Sequence, residues 1–289
     1  MENPFIILWE WTLGWLKRLA LYRFPDRVDF AFGMFTTFIV LQLILGRYGL
    51  FYLLSWWPDA QRVQFENTPL AYLGCFLAFH MGVAFFEFGF HRYILHKVFW
   101  RFLQGLARKH RKHHGLTYGD AYPITEPKQI ESSAFPAWTL AAFWGFFAVV
   151  ALIPLQLIFP SLPWLISGGA AVAWSYWLYE VKHAVEHLDY DRWWKWCVER
   201  SDRLGQVAKK VYWYHRIHHF IPEINEAIGG FMGFDFPGWV FRTSFVPEHI
   251  PAVGAKFDPS SFKYPPPRWP VNVLDKVVDA REKQLQGRA

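Results

Sequence analysis

Charged positions are absent from long stretches of this chain and crowd together in others. Ser132 to Tyr179 contains no Asp, Glu, Lys, Arg or His, and Phe30 to Gly46 and Pro69 to Phe86 contain no Asp, Glu, Lys or Arg. A helix crossing a bilayer needs about 20 apolar residues. The first stretch therefore holds two spans, joined by a turn that Pro154, Pro160 and Pro163 mark. The other two reach span length if Arg47 snorkels and Glu87 faces protein. The pattern predicts four spans over 28–54, 68–90, 134–158 and 162–182, preceded by an interfacial segment over 1–27 in which apolar and aromatic residues mix with Lys17, Arg18 and Arg23.

Charge then orients the spans. Arg92, Lys97, Arg101, Arg108, Lys109, Arg111 and Lys112 fall in 91–115, and a second basic series runs from Lys182 to Arg216. The Trp57–Thr68 loop has few charges and the 154–163 turn has none. Under the positive-inside rule both basic segments and the N-terminus are cytosolic, which an even number of spans allows. Composition agrees with membrane embedding: of 289 residues, 53% are hydrophobic and 20% aromatic. The net charge of +6 suits a face beside anionic head groups, and no nucleic-acid motif is present. No secretory signal peptide is expected. Cys75 and Cys197 are the only cysteines, which leaves neither a disulfide framework nor a Cys-based zinc site.

Candidate chemistry rests on histidine. Ten of the 12 histidines fall in four clusters: His91 and His96; His110, His113 and His114; His183 and His187; His215, His218 and His219. Each cluster lies at the cytosolic end of a span or in a cytosolic segment. Helical residues three and four apart share a face, so the triplets and the 183/187 pair can each aim at a common point. His91 and His96 are five apart, about 140° around an α-helix. Either they serve different metals or the helix unwinds where it leaves the membrane. Ten imidazoles overshoot the four ligands of structural zinc and suit two ions with open positions. Of the remaining two, His249 reads as an interfacial polar residue. His80, inside a span, either joins the site or bonds a neighbouring helix.

The segments His91-Arg-Tyr-Ile-Leu-His96, His110-Arg-Lys-His113-His114, His183-Ala-Val-Glu-His187 and His215-Arg-Ile-His218-His219 resemble the four histidine boxes of the fatty acid hydroxylase/sterol desaturase superfamily. The resemblance covers about 68–243. Its last part, Asn225, Gly229 and Asp235 to Thr243, is similar to the family's Asn-Tyr-Gly followed by Trp-Asp-Xaa-Leu-Phe-Gly-Thr, with Phe234 for the Trp and Arg242 for the final Gly. It implies a non-haem diiron oxygenase holding two Fe ions, with Zn able to replace them in purified protein, and O2 as co-substrate. The expected fold is all-α: an integral-membrane four-helix transmembrane bundle under a cytosolic helical cap that carries the dimetal site. The membrane-embedded domain is expected over 28–250 and a cytosolic tail over 251–289.

Glu87, Glu180, Glu186, Asp189, Asn225 and Asp235 lie close enough in sequence to orient the ligands through their second N–H. His80, Phe86, Phe90, Trp174 and Trp177 are candidates to line a substrate channel, and Tyr122 to Phe135, with Glu126 and Glu131, to cover the site. A membrane lipid or lipid-like substrate is implied, to be hydroxylated or, by a second hydrogen abstraction, desaturated. No Gly-x-Gly-x-x-Gly follows a strand, so electrons must come from a separate ferredoxin, cytochrome or reductase. A metal transporter is the first competitor, but transport sites lie near the midplane. A haem carrier is the second; it needs paired histidines rather than triplets. The C-terminal Gly287-Arg288-Ala289 carries no retrieval signal of the endoplasmic reticulum, which favours a bacterial inner membrane.

Overall fold

The computed structural model describes residues 36–97, 99–133, 135, 138–247, 258 and 262–286. The expected interfacial segment, the start of the first span, His249 and most of 251–261 lie outside these residues, as does the side chain of Glu131. Among the described residues the chain is all-helical, with one isolated bridge between Phe231 and Phe234.

Helix α1 (Thr36–Leu53) and a 3-10 turn lead into α2 (Pro58–Phe65) and α3 (Pro69–Phe90). Pro69 at the first turn of α3 and the Thr68 hydroxyl, which accepts from the Ala71 amide at 3.2 Å, start the helix. At 1.5 Å per residue its 22 residues run about 33 Å, the thickness of a hydrocarbon core. Beyond Phe90 the chain continues in a π-helical turn, His91–His96. Helices α4 (Gln104–Leu116) and α5 (Pro127–Ser133) follow. Next come α6 (Thr139–Phe147), a π-helical turn (Ala148–Leu152) and α7 (Ile153–Ile158), which form one apolar run. The wider turn directly before Pro154 accommodates the missing N–H of that residue.

Helix α8 (Trp164–Glu186) lies against α3 along much of its length and also contacts α1 and α6. Ser167, Gly168, Ala171 and Ser175 let it approach closely. A Cβ on Gly168 would sit 2.1 Å from Leu152 Cδ2, so a larger residue there displaces the Leu152 side chain. Phe79, Val83, Leu140, Phe147 and Val172 fill the resulting core. At the end away from the histidines, the buried amides of Gln64 and Gln156 bond each other at 2.9 Å and cap the Trp164 and Ile166 amides.

Among the described residues three runs are long and apolar enough to cross a membrane: Ile39–Trp56, Pro69–His96 and Thr139–Ile158. Helix α8, expected as the fourth span, has the length but not the apolarity, because Trp, Tyr, Gly and Ser replace aliphatic residues along it. Beyond α8 lie a π-helical turn (Tyr190–Trp194), α9 (Lys195–Val198), α10 (Arg203–Phe220), α11 (Phe236–Phe241) and α12 (Val271–Gln286). The C-terminal helix α12 is docked by buried Val271 and Val278.

Candidate metal centre

The π-helical turn resolves the awkward spacing of the first cluster. One extra residue per turn brings positions five apart toward one face. The rings of His91 and His96 lie stacked at 5.0 Å. Both join His110, His114 and His218 in one group, while His113, His183, His187, His215 and His219 form a second. Within each group the nearest ring nitrogens all lie within 4.8 Å of one another, and each group can hold a metal ion. The sequence placed each triplet on one face; the structure divides that face. Residues four apart, His110 with His114 and His215 with His219, serve one group, and the residue between, His113 or His218, serves the other. The groups are neighbours, with His114 stacked on His219 at 4.1 Å and 13°.

Nitrogen spacing tests whether an ion fits. In the first group His110 Nε2 lies 2.9 Å from that of His91 and 3.1 Å from those of His96 and His114. In the second, His215 Nε2 lies 3.1 Å from that of His187 and 2.9 Å from that of His219. One Nε2 can donate a single proton, so most of these contacts set lone pair against lone pair. Two nitrogens bound at about 2.1 Å to one ion at right angles lie about 3.0 Å apart, against about 3.4 Å at tetrahedral angles. The spacing fits cations with more than four positions.

Backbone carbonyls fix the tautomers. His91 Nδ1 donates to Glu226 O, His218 Nδ1 to Ile224 O at 2.7 Å, and His187 Nδ1 to Tyr122 O at 2.8 Å. The Thr117 hydroxyl donates to His113 O at 2.6 Å and so accepts from His219 Nδ1 at 3.1 Å. Each leaves Nε2 a bare lone pair aimed into its group. Burial, reinforced by the neighbouring imidazoles, holds His110, His114, His215, His218 and His219 well below the usual imidazole range. All five are neutral at pH 7, as ligands must be.

The structure gives the carboxylates expected to orient the rings the following partners. Glu87 accepts from the Gly229 and Gly230 amides, Glu180 from Phe135, and Asp189 and Asp235 cap helix starts at Arg192 and Gly238. Glu186 lies 3.6 Å from Lys182. Asn225 acts on the ligands indirectly. It sits at φ +59° between the two acceptor carbonyls of Ile224 and Glu226, and its side chain holds Tyr214 O, Phe245 O and the Phe245 amide at 2.7–2.9 Å. Asn225→Gly keeps the backbone angle and deletes these three bonds. It should weaken metal binding at the first group by about 10- to 100-fold, measured by titration of metal-free protein, with the second group less affected.

Sequence reasoning missed Glu226, Ile224, Tyr122 and Thr117. Carbonyl acceptors leave no side-chain signature; only the αL-tolerant Asn225 hints at the turn. It also read Arg92 and Arg216 as topological charges. Both are buried: Arg216 stacks on Tyr122 and Trp213, and Arg92 pairs with Glu226 and, at 2.6 Å, with Asp275 of α12. Arg92→Met strands two carboxylates beside the first group and should cost about 3–5 kcal/mol, read from thermal unfolding in detergent. Arg242 takes φ +60° as the left-handed C-cap of α11.

Two openings reach the histidines. A narrow apolar pocket of about 50 Å³ runs between α3, α6 and α8. Phe86, Phe90, Phe143 and Phe147 line it and His91 stands among its walls. Of the expected channel residues, Phe86 and Phe90 face this pocket. His80, Trp174 and Trp177 do not line it, and the two Trp rings stack on each other at 5.1 Å. A second, polar cleft between α4, α10 and α12 has His96, His114 and His219 among its lining, beside Lys97, Arg111, Asp279 and Glu282. Tyr122 covers His187 at 4.4 Å between rings, as the expected cover over 122–135 would, while Glu126 points to solvent.

Compared with protein-family models, with curated proteins and with solved structures, the chain finds no match in any of the three.

Proposed function

We propose that the chain is a membrane-embedded non-haem diiron oxygenase of the fatty acid hydroxylase/sterol desaturase type, hydroxylating a lipid or lipid-like substrate with O2. The observation that carries this reading is the pairing of two adjacent five-imidazole groups with an apolar pocket that has His91 among its walls. Two irons bound there would supply, with O2 and electrons, an oxidant able to take hydrogen from an unactivated C–H bond. The chain's own residues do the rest. The imidazoles hold the ions while neutral, and the carbonyls of Ile224, Glu226 and Tyr122 keep three rings aimed. Phe86, Phe90 and Phe143 take up an aliphatic chain from the bilayer, exclude water and leave the segment nearest His91 facing the first group.

In this reading α8 is the fourth span, enclosed by α1, α3 and α6, and the metal groups lie on the cytosolic face, in a bacterial inner membrane. A separate electron donor approaches the polar cleft, on the side away from the lipid pocket. Desaturation is the second reading, since the same pocket serves a second hydrogen abstraction. A metal transporter fits less well because both groups crowd one end of the spans. The deciding experiment is lipid mass spectrometry of a host with and without the gene. One added oxygen in a lipid class supports hydroxylation, loss of two hydrogens supports desaturation, and an unchanged lipidome removes the proposal.

A further inference from the structure

The metal groups leave two ionisable residues inside the α3 span unexplained, His80 and Glu87. Both bond one segment, 228–241, which descends along the groove between α3 and α8. The Gly229 and Gly230 amides meet Glu87 at 2.7 and 2.9 Å, and Phe231 and Met232 then reach His80. Three turns below His91, His80 lies about 16 Å deeper along the helix. There the Met232 amide donates to His80 Nε2 at 2.9 Å, and His80 Nδ1–H in turn meets Ser175 Oγ at 2.8 Å. The chain climbs back as Phe236 and Phe241 pack on Phe85, and Phe241 also on Phe88.

At this depth irregular backbone survives only if its polar groups find partners within the protein. Phe231 and Phe234 exchange amide bonds at 2.9 and 3.0 Å, and Gly233 N donates to Gly229 O at 3.0 Å. Lys182 Nζ donates to Ile228 O at 2.7 Å and Gly233 O at 3.1 Å, and Asp235, buried, caps α11. Gly230, at φ +51°, makes the bend; a Cβ there would strike Phe234 O at 2.2 Å. The outward surface is apolar: Phe234 is 62% and Trp239 56% exposed, with Met232, Phe236 and Val240 beside them.

We infer that residues 228–241 form a re-entrant hairpin that dips into the hydrocarbon of the same leaflet as the metal groups. Phe234 and Trp239 lie against acyl chains, and His80 and Glu87 serve as its intramembrane amide acceptors. The inference rests on the bilayer surrounding α3 and not on the oxygenase reading. The occupant is lipid, because the exposed face is continuous with the span and carries no charge until Arg242 at the return.

The test uses the wild-type chain in phospholipid vesicles doped with a phospholipid carrying a diazirine near the end of its acyl chain. After irradiation, peptide mapping should find lipid adducts on 231–240 at a yield comparable to that on Thr139–Ile158. Adducts on Thr139–Ile158 with none on 231–240 would overturn the inference, as would cross-links to a second copy in their place. A nitroxide at Phe234→Cys supplies an independent reading. Its collision rates should favour O2 over a water-soluble nickel complex, as at Leu45→Cys in α1; the pattern of Lys112→Cys, exposed on α4, would overturn it.

Discussion

His110→Ala should abolish lipid oxidation and remove half or more of the bound metal, with the helical content retained. His110 Nε2 has more close nitrogen neighbours than any other in the first group, lying 2.9–3.1 Å from three others. Its loss deletes a ligand and the shared point around which His91, His96 and His114 converge. Loss of an orienting partner alone weakens a metal site by about 10- to 100-fold, and loss of the ligand itself should exceed that. Alanine suits a helix interior, so α4 persists. Metal analysis of purified protein beside far-ultraviolet circular dichroism checks both halves, with exposed Arg108→Ala as the control. Full metal content in His110→Ala would contradict the grouping itself.

Acid should strip the metal and then destabilise the metal-free fold. The imidazoles of His110, His114, His215, His218 and His219 are held well below their ordinary value, first by burial and then by one another. Below about pH 6.5 the unfolded chain therefore binds protons that the folded chain refuses, so stability rises with pH across this window and is lost on acidification. Several imidazoles titrate together, which makes the dependence steep. Bound metal adds to it, because each ligand must stay unprotonated. Melting temperatures of metal-free protein between about pH 8 and pH 5 should fall throughout the lower half of that range. A flat profile would mean that the rings are solvated rather than buried.

The ten clustered histidines were legible because their spacings repeat helical periods and because they stand where apolar runs end. Their division was not. Positions three and four apart share a broad face, and only the position of a second point beside the first sends His113 one way and His114 the other. The spacing of His91 and His96 left open a change of helix, which the structure supplies as a wider turn rather than an unwound one. The charge-free run from Ser132 to Tyr179 marked both α6–α7 and α8. Apolarity distinguishes them, because α8 carries the small and aromatic residues that close helix contact requires. The orienting groups escaped notice for a different reason: carboxylates are visible in a sequence, whereas the carbonyls of Tyr122, Ile224 and Glu226 belong to any residue. Trp174 and Trp177 stood at plausible depth but on the wrong side of α8.

The crossed allocation of ligands has a consequence for assembly. Helices α4 and α10 each send two nitrogens to one group and the remaining nitrogen to the other. Neither helix can roll to suit one ion without dragging a ligand of its neighbour. An ion bound in either group would therefore hold both helices near the orientation that the other group needs.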